Sequence, residues 1–250
     1  MAGSSAAPTG WVHSYESCAI GDGPGIRFAV FLQGCPLRCR FCHNPDTWKV
    51  RAGRETTVDE VMAEVLKYRS YMRTSGGGVT LTGGEPLLQP EFAAAILSRC
   101  KEAGLTTVID TAGHASVDSP PVRAVIDATD IVLHDIKSID PEQHRWLTGW
   151  PIEPVLDFAR RLSELGKTMW IQHVLVPGVT LRDDLLEKLA AFVATLRTVE
   201  HVELLPFHKL GEYKWRELQL DYTLADTPAA TAEDVARAAA IFSAHGVRTV

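Results

Sequence analysis

Residues 26–44 read IRFAVFLQGCPLRCRFCHN and decide the fold. Six of the first seven residues are apolar, several of them β-branched or aromatic, and this composition predicts a strand over 26–32. The segment after the strand carries Cys35, Cys39 and Cys42 with the spacing C-x3-C-x2-C. The remaining thiols, Cys18 and Cys100, are isolated in the sequence. The chemistry of this chain is therefore expected in the loop that follows the strand at 26–32.

Three thiolates in one loop suggest an iron–sulfur site. A 4Fe–4S cluster that is closed by protein takes four thiolates, so three leave one iron open to a substrate. A Cys3His zinc site with His43 is the main alternative. Against it, Cys42 and His43 are sequence neighbours, and no second C-x2-C-like hook follows. Cys100 falls in a helical pattern and is expected in the core, and Cys18, before the strand, is either a packing residue or a fourth ligand.

The composition is that of a globular protein. The chain has 250 residues, of which 46% are hydrophobic and 22% charged, and a single domain over 1–250 accommodates them. A net charge of −6 argues against nucleic acid as a partner, and no apolar run approaches the length of a membrane span. Residues 1–10 lack a signal-peptide pattern and are expected to form a frayed tail. Free thiols without such a signal favour the cytoplasm.

Strand and helix patterns alternate along the chain with short connections. The predicted strands cover 26–32, 79–82, 106–109, 131–133, 168–176 and 201–205. The predicted helices cover 57–76, 92–101, 122–128, 155–165, 181–196 and 232–245. Repeated strand–helix units give a parallel sheet, and six units are too few for the eight-stranded barrel. We therefore predict an α/β fold with a partial, splayed (β/α)6 barrel.

Residues that could bind a ligand or take part in catalysis follow the carboxyl ends of these strands, where barrel enzymes place their sites. After the cysteine loop come Gly83, Gly84 and Glu85, then Asp110 and Thr111, then Asp135, Ile136 and Lys137, and finally His208. Paired glycines let backbone approach a ligand closely, and Glu85 either holds a ligand's ammonium group or fixes the loop. Asp110, Thr111 and Asp135 are hard oxygen ligands suited to Na⁺, K⁺ or Mg²⁺, or else cap the helices that follow. Lys137 pairs with a ligand carboxylate or with Asp135.

The segment CPLRCRFCHN at 35–44 resembles the signature of the radical S-adenosylmethionine (SAM) enzymes. The likeness extends over nearly the whole chain and includes HSYES at 13–17, DGPGIRF at 22–28, CHNPDTW at 42–48, SGGGVT at 75–80 and LLPFH at 204–208. The DGPG and HNPDTW runs are similar to those of the activases of glycyl radical enzymes. Gln172 departs from this pattern, which has an Arg at its position, and Pro36 stiffens the cysteine loop.

The resemblance implies a fold of the radical SAM type and a mechanism. Cys35, Cys39 and Cys42 would hold one 4Fe–4S cluster whose open iron takes the amino and carboxylate groups of S-adenosyl-L-methionine. One electron from the cluster then cleaves the sulfonium to methionine and a 5′-deoxyadenosyl radical, which removes a hydrogen atom from a glycine of the partner protein. Further groups would hold the cofactor: Phe41, Cys42, His43, Gly83, Gly84, Glu85, Asp135, Ile136, Lys137 and His208.

The resemblance also implies partners. Asp110, Thr111 and Asp135 match a monovalent-cation site, and Asp22 would touch the partner's glycine segment. The expected partner is the glycyl radical enzyme pyruvate formate-lyase, with a reduced flavodoxin or ferredoxin as electron donor. Three alternatives stay open: activation of another glycyl radical enzyme such as an anaerobic ribonucleotide reductase or a glycerol dehydratase, a small-molecule radical enzyme, and a non-catalytic metal-binding module.

Overall fold

A computed structural model describes residues 8–250, which form eight strands and nine helices. The strands are β1 (Thr9–Ala19), β2 (Arg27–Leu32), β3 (Arg54–Thr57), β4 (Gly78–Gly83), β5 (Thr106–Thr111), β6 (Ile131–Asp135), β7 (Thr168–Leu175) and β8 (Val199–Pro206). The helices are α1 (Val58–Lys67), α2 (Arg69–Ser75), α3 (Pro90–Glu102), α4 (Pro120–Asp127), α5 (Pro141–Thr148), α6 (Glu153–Glu164), α7 (Asp183–Val193), α8 (Glu212–Glu217) and α9 (Ala232–Ala244). No helix of this described part is long and apolar enough to cross a membrane.

One sheet contains all eight strands in the order β3-β1-β2-β4-β5-β6-β7-β8. The pairs from β2 to β8 are parallel, whereas β1 is antiparallel to both β2 and β3. The six parallel strands are the six predicted from the sequence. Because β3 and β8 end the strand order and do not pair with each other in the described chain, the sheet is not closed into a barrel. The predicted partial, splayed barrel is confirmed.

The parallel strands place apolar side chains against the helices and polar ones toward the interior of the curved sheet. Phe28, Val30, Val79 and Leu81 are buried and belong to the helix-facing core. The alternate side chains of the same strands point the other way, because successive residues of a strand face opposite sides of the sheet. This second face lines the interior of the sheet and carries polar residues such as Thr80, Thr82 and Asp110.

Arg27 fixes the amino end of the interior. The residue is fully buried, and its guanidinium donates to the Thr80 and Thr106 hydroxyls and to backbone carbonyls of three neighbouring segments. Burial lowers the pKa of Arg27 to about 10. The Thr80 hydroxyl donates to the Asp22 carbonyl at 2.6 Å. This network holds the turn that contains Asp22 against the sheet.

The prediction for the first ten residues is wrong where the structure tests it. Thr9 and Gly10 begin β1 and pair with Thr57 and Thr56 of β3; residues 1–7 lie outside the described part. Cys18 also belongs to β1 rather than to a loop, and it is exposed. Small and polar residues conceal this strand in the sequence, and the antiparallel pairing to β2 and β3 supplies the hydrogen bonds that order it.

Helix boundaries follow local signals in most cases. Thr57 and Glu60 form the capping box that starts α1, as its sequence pattern indicates. The single helix predicted over 57–76 is two helices, because Tyr68 leaves the helical conformation. The sequence analysis missed α5 and α8. The start of α5 was visible as Asp140, whose side chain accepts from the Gln143 amide at 2.8 Å.

Candidate active site

A cavity of about 470 Å³ opens at the carboxyl ends of the parallel strands, within the size range of small-molecule sites. Nearly all of the predicted site residues line it: Asp22, Cys35, Cys39, Phe41, Cys42, His43, Gly83, Gly84, Glu85, Asp110, Thr111, Asp135, Lys137 and His208. Ile136 does not line it and is fully buried in the core beside α7 and α9. Cys18 is absent from the lining residues, and Cys100 is buried in the core as predicted.

The cysteine loop forms one wall of the cavity. Cys35, Leu37, Cys39 and Phe41 line it, whereas the residues between them do not. The Cys42 amide donates to the Cys39 carbonyl at 3.0 Å, which turns the loop so that Cys42 faces the same space. The three thiols therefore face one cavity.

Helix α8 packs against the far end of this loop. The Trp215 indole donates to the Cys42 carbonyl at 2.8 Å, and the Lys214 ammonium pairs with Asp46 at 2.9 Å. The Trp48 ring meets the Trp215 ring edge-on. These contacts fix the backbone that follows the third cysteine.

Burial determines the protonation state of the three cysteine thiols. It raises the pKa of Cys35 and Cys42 above the ordinary value and that of Cys39 to about 12. The free thiols are therefore protonated at neutral pH, and only a bound metal would hold them as thiolates. Within residues 8–250, no three His, Cys, Asp or Glu side chains are grouped closely enough for one metal ion.

The Glu85 carboxylate is occupied by hydrogen bonds within the protein. Its carboxylate accepts from the Thr111 hydroxyl at 2.7 Å and from the amides of Leu87 and Ala112 at 3.0 and 2.9 Å. Burial alone would raise its pKa, but the nearby His114 imidazole, 3.7 Å from the carboxylate, and the hydrogen bonds from Thr111 and Leu87 outweigh burial and lower the pKa. Of the two roles considered for Glu85, the structure shows the fixing of the loop.

Asp110, in contrast, has an oxygen without a partner. Its Oδ2 atom accepts from the Thr82 hydroxyl at 2.7 Å, whereas Oδ1 is buried and makes no hydrogen bond. Burial, together with the nearby charge of Asp135, raises the pKa of Asp110 to about 8. A buried acceptor without a donor is unfavourable, and it marks a place where a cation or a ligand donor would be stabilised.

Lys137 and Asp135 form an ion pair of 2.6 Å at the cavity wall. Burial opposes the charged form of Lys137, but the neighbouring Asp135 and Cys39 outweigh it and raise the pKa of Lys137. The lysine therefore remains a cation close to the cysteine loop. Its positive charge is available to an anionic group that enters the cavity.

The rim of the cavity carries a stacked pair of imidazoles. The His43 and His208 rings lie 4.4 Å apart, and the His43 ring is within 3.2 Å of the His208 carbonyl. On another wall the Gln172 amide donates to Glu203 at 2.7 Å. The sequence analysis missed several lining residues, including Ile20, Trp48, Val174 and Leu205. Strand alternation identifies Val174, which shares a face with Gln172.

The comparisons with known proteins agree with this architecture. The model of the radical SAM superfamily matches residues 29–190. A pyruvate formate-lyase-activating enzyme of Listeria monocytogenes is 45% identical over 233 residues, 92% of this chain and 94% of the relative. One from Staphylococcus aureus is 46% identical over 231 residues, 90% of this chain and 92% of the relative.

Solved structures with similar folds include two that bear on the architecture. A domain of pyruvate-formate lyase-activating enzyme from Bacteroides vulgatus is 28% identical with a TM-score of 0.59, over 70% of this chain and 98% of that one. A radical SAM methyltransferase from Sphaerobacter thermophilus has a TM-score of 0.65 at 19% identity, over 90% of this chain and 65% of that one, a likeness of fold. With the match over more than half of its length and relatives along nearly all of it, the chain belongs to the radical SAM superfamily and, within it, to the family of the pyruvate formate-lyase-activating enzymes.

Proposed function

We propose that this protein activates pyruvate formate-lyase by generating a glycyl radical on it, through reductive cleavage of S-adenosyl-L-methionine. One observation carries the proposal: three cysteine thiols and the polar strand-end residues line a single cavity. Relatives that are 45 and 46% identical and bear the name of this activity support it.

The cysteine loop fits a 4Fe–4S cluster. Cys35, Cys39 and Cys42 face one cavity, and three thiolates leave a fourth iron for a ligand other than protein. A bound, reduced cluster would supply one electron for cleavage of S-adenosyl-L-methionine to methionine and a 5′-deoxyadenosyl radical, and that radical would take a hydrogen atom from the partner's glycine. The buried thiols would hold the cluster away from water, and Lys137 would offset negative charge beside Cys39.

S-adenosyl-L-methionine would lie across the strand ends. In our proposal the backbone of Gly83 and Gly84 receives its amino group, and Lys137 its carboxylate. Phe41, Cys42 and the stacked pair His43 and His208 on one side, and Asp135 on the other, would contact the adenosyl portion. Glu85 and Ile136 then act indirectly, because the carboxylate of Glu85 is occupied by the fold and Ile136 is buried.

A monovalent cation is the third group that we place in the cavity. Asp110 Oδ1 is buried without a partner, and the charge of Asp135 adds to that of Asp110. The Thr111 hydroxyl donates to Glu85, so it can offer a cation only its lone pairs. A bound cation would relieve the repulsion between the two aspartates and stabilise the strand ends beneath the substrate.

The partner would approach from the mouth of the cavity. Asp22 lines it on a turn held by Thr80, and the open side of the curved sheet leaves room for a polypeptide segment. We assign Asp22 to contact with the partner's glycine segment. A cytoplasmic location and a reduced flavodoxin or ferredoxin as electron donor complete the proposal.

Anaerobic reconstitution tests the proposal. The holoprotein should contain about four irons per chain, cleave S-adenosyl-L-methionine when reduced, and produce a glycyl radical on pyruvate formate-lyase, detected by electron paramagnetic resonance. The Cys39→Ala variant should lose cleavage, with Cys18→Ala as the matched control that retains it. Zinc in place of iron, or cleavage without a radical on pyruvate formate-lyase, would overturn the proposal.

A further inference from the structure

The outer surface of the cysteine loop differs from its inner surface. Cys35, Leu37, Cys39 and Phe41 line the cavity, whereas Arg38 and Arg40 do not. The Arg38 and Arg40 amides donate to the carbonyls of Thr148 and Leu147, so the loop lies against the last turn of α5. The loop thus separates the metal side from a face formed by the loop and the end of α5.

Two cations are held on that outer face. The Arg40 guanidinium donates to the Trp146 carbonyl and the Thr223 hydroxyl, and it lies 4.4 Å from the centroid of the Trp146 ring. Arg38 donates to the carbonyls of Cys35 and Leu37, and its guanidinium lies over a different ring, 5.1 Å from the centroid of Trp48. All of these acceptors are neutral, so the contacts order the guanidiniums without compensating their charge.

Arg145, next to Trp146, adds a third cation on the exposed surface of α5. In residues 8–250 none of the three arginines forms an ion pair, whereas Arg99 and Arg123 pair with Asp59 and Asp127. Trp146 itself is 46% exposed. We call Arg40, Arg145 and Trp146 the arginine patch. An exposed tryptophan stacked with arginine is the composition of binding hot spots in protein interfaces.

We infer that the arginine patch docks an acidic one-electron carrier protein that reduces the cluster from behind the cysteine loop. The inference rests on the proposed function and deepens it by assigning a surface to the donor. One electron leaves the reduced carrier and enters the cluster, and no bond forms or breaks at the patch. The patch lies outside the cavity that substrate would occupy, and uncompensated cations steer an acidic protein toward it.

Binding of an oxidised acidic flavodoxin to the reconstituted holoprotein is the first measurement, by isothermal titration calorimetry at low and moderate salt. The Arg145→Glu variant should raise the dissociation constant at least about tenfold at low salt, and added salt should weaken wild-type binding. Arg73→Glu is the matched control, because Arg73 also lies in the last turn of an exposed helix, α2, and has no ion pair. It should bind like the wild type.

Rates of S-adenosyl-L-methionine cleavage separate docking from a structural role. With reduced flavodoxin as the donor, Arg145→Glu and Arg40→Glu should cleave more slowly, and Arg40→Lys should recover part of the loss. With photoreduced 5-deazariboflavin, a small uncharged reductant, both Glu variants should match the wild type. Equal losses with both reductants, or unchanged flavodoxin affinity, would overturn the inference, as would weakened binding of pyruvate formate-lyase in place of flavodoxin. Absence of cleavage by the wild type with 5-deazariboflavin would instead refute the proposed function.

Discussion

Glu85 and Asp110 lie at the ends of neighbouring strands and line the same cavity, yet they have opposite surroundings. Glu85 accepts hydrogen bonds from Thr111, Ala112 and Leu87, and its pKa is lowered. Asp110 has one donor, Thr82, and one buried oxygen without a partner, and its pKa is raised to about 8. A satisfied carboxylate holds the site together, whereas an unsatisfied one is poised for a ligand.

The largest expected effect comes from Glu85→Gln. An amide group in place of one carboxylate oxygen would face the donors of Ala112 or Thr111, and buried donors would lose their acceptor. We expect the free energy of unfolding to fall by about 3 kcal/mol, measured by urea denaturation of the apoprotein. An unchanged unfolding midpoint would contradict the structural role of Glu85.

Asp110→Asn should instead raise the free energy of unfolding at neutral pH. Because the pKa of Asp110 is about 8 in the folded protein and close to its ordinary value when unfolded, folding favours the protonated form. The stabilisation that protonated Asp110 contributes to the folded state is fully present below about pH 4 and is lost as the pH rises toward 8. Without added cation, the wild type should therefore lose stability relative to Asp110→Asn across this range.

Urea denaturation at several pH values checks this difference, since titrations elsewhere cancel between the two proteins. Added K⁺ or Na⁺ should stabilise the wild type above pH 7 and leave the variant unaffected. Parallel stability curves for the two proteins would show that Asp110 does not carry the buried charge.

Thr111→Val tests the residue that links the two carboxylates, because Thr111 follows Asp110 in the sequence and hydrogen-bonds to Glu85. The hydroxyl donates to Glu85 at 2.7 Å and accepts from the Gly113 amide at 3.0 Å, so its loss should cost about 1–2 kcal/mol. Thermal unfolding of the apoprotein gives the measurement, with Thr74→Val on the exposed surface of α2 as the control. If stability is unchanged but the response to cations disappears, Thr111 belongs with Asp110 rather than with Glu85.

The smallest expected effect is that of Asp127→Asn, at an exposed carboxylate that serves as the control for the buried Glu85 and Asp110. Asp127 pairs with Arg123 at 2.9 Å on the surface of α4, where solvent screens the charges. Asp127→Asn should change the free energy of unfolding by less than about 0.5 kcal/mol, as measured by urea denaturation. A loss comparable to that of Glu85→Gln would mean that burial is not what distinguishes the carboxylates.

Part of this arrangement was predictable from the sequence. The six parallel strands, the capping box at Thr57 and the convergence of the strand-end residues follow from local periodicity and from the geometry of parallel sheets. The strand β1 escaped prediction because its order depends on pairing with β2 and β3. The two helices α5 and α8 escaped because short polar helices carry weak periodicity.

By itself, the sequence determined the fold class, the trio Cys35, Cys39 and Cys42, and the set of polar residues at the strand ends, because spacing and alternation act along the chain. Only the tertiary structure decided how those polar residues differ. Donors from its own loop and from the end of β5 reach Glu85, whereas Asp110 receives one, and neither Arg38 nor Arg40 of the cysteine loop lines the cavity. Hydrogen bonding and burial arise between segments distant in sequence, so these roles exist only once the sheet has brought the strand ends together.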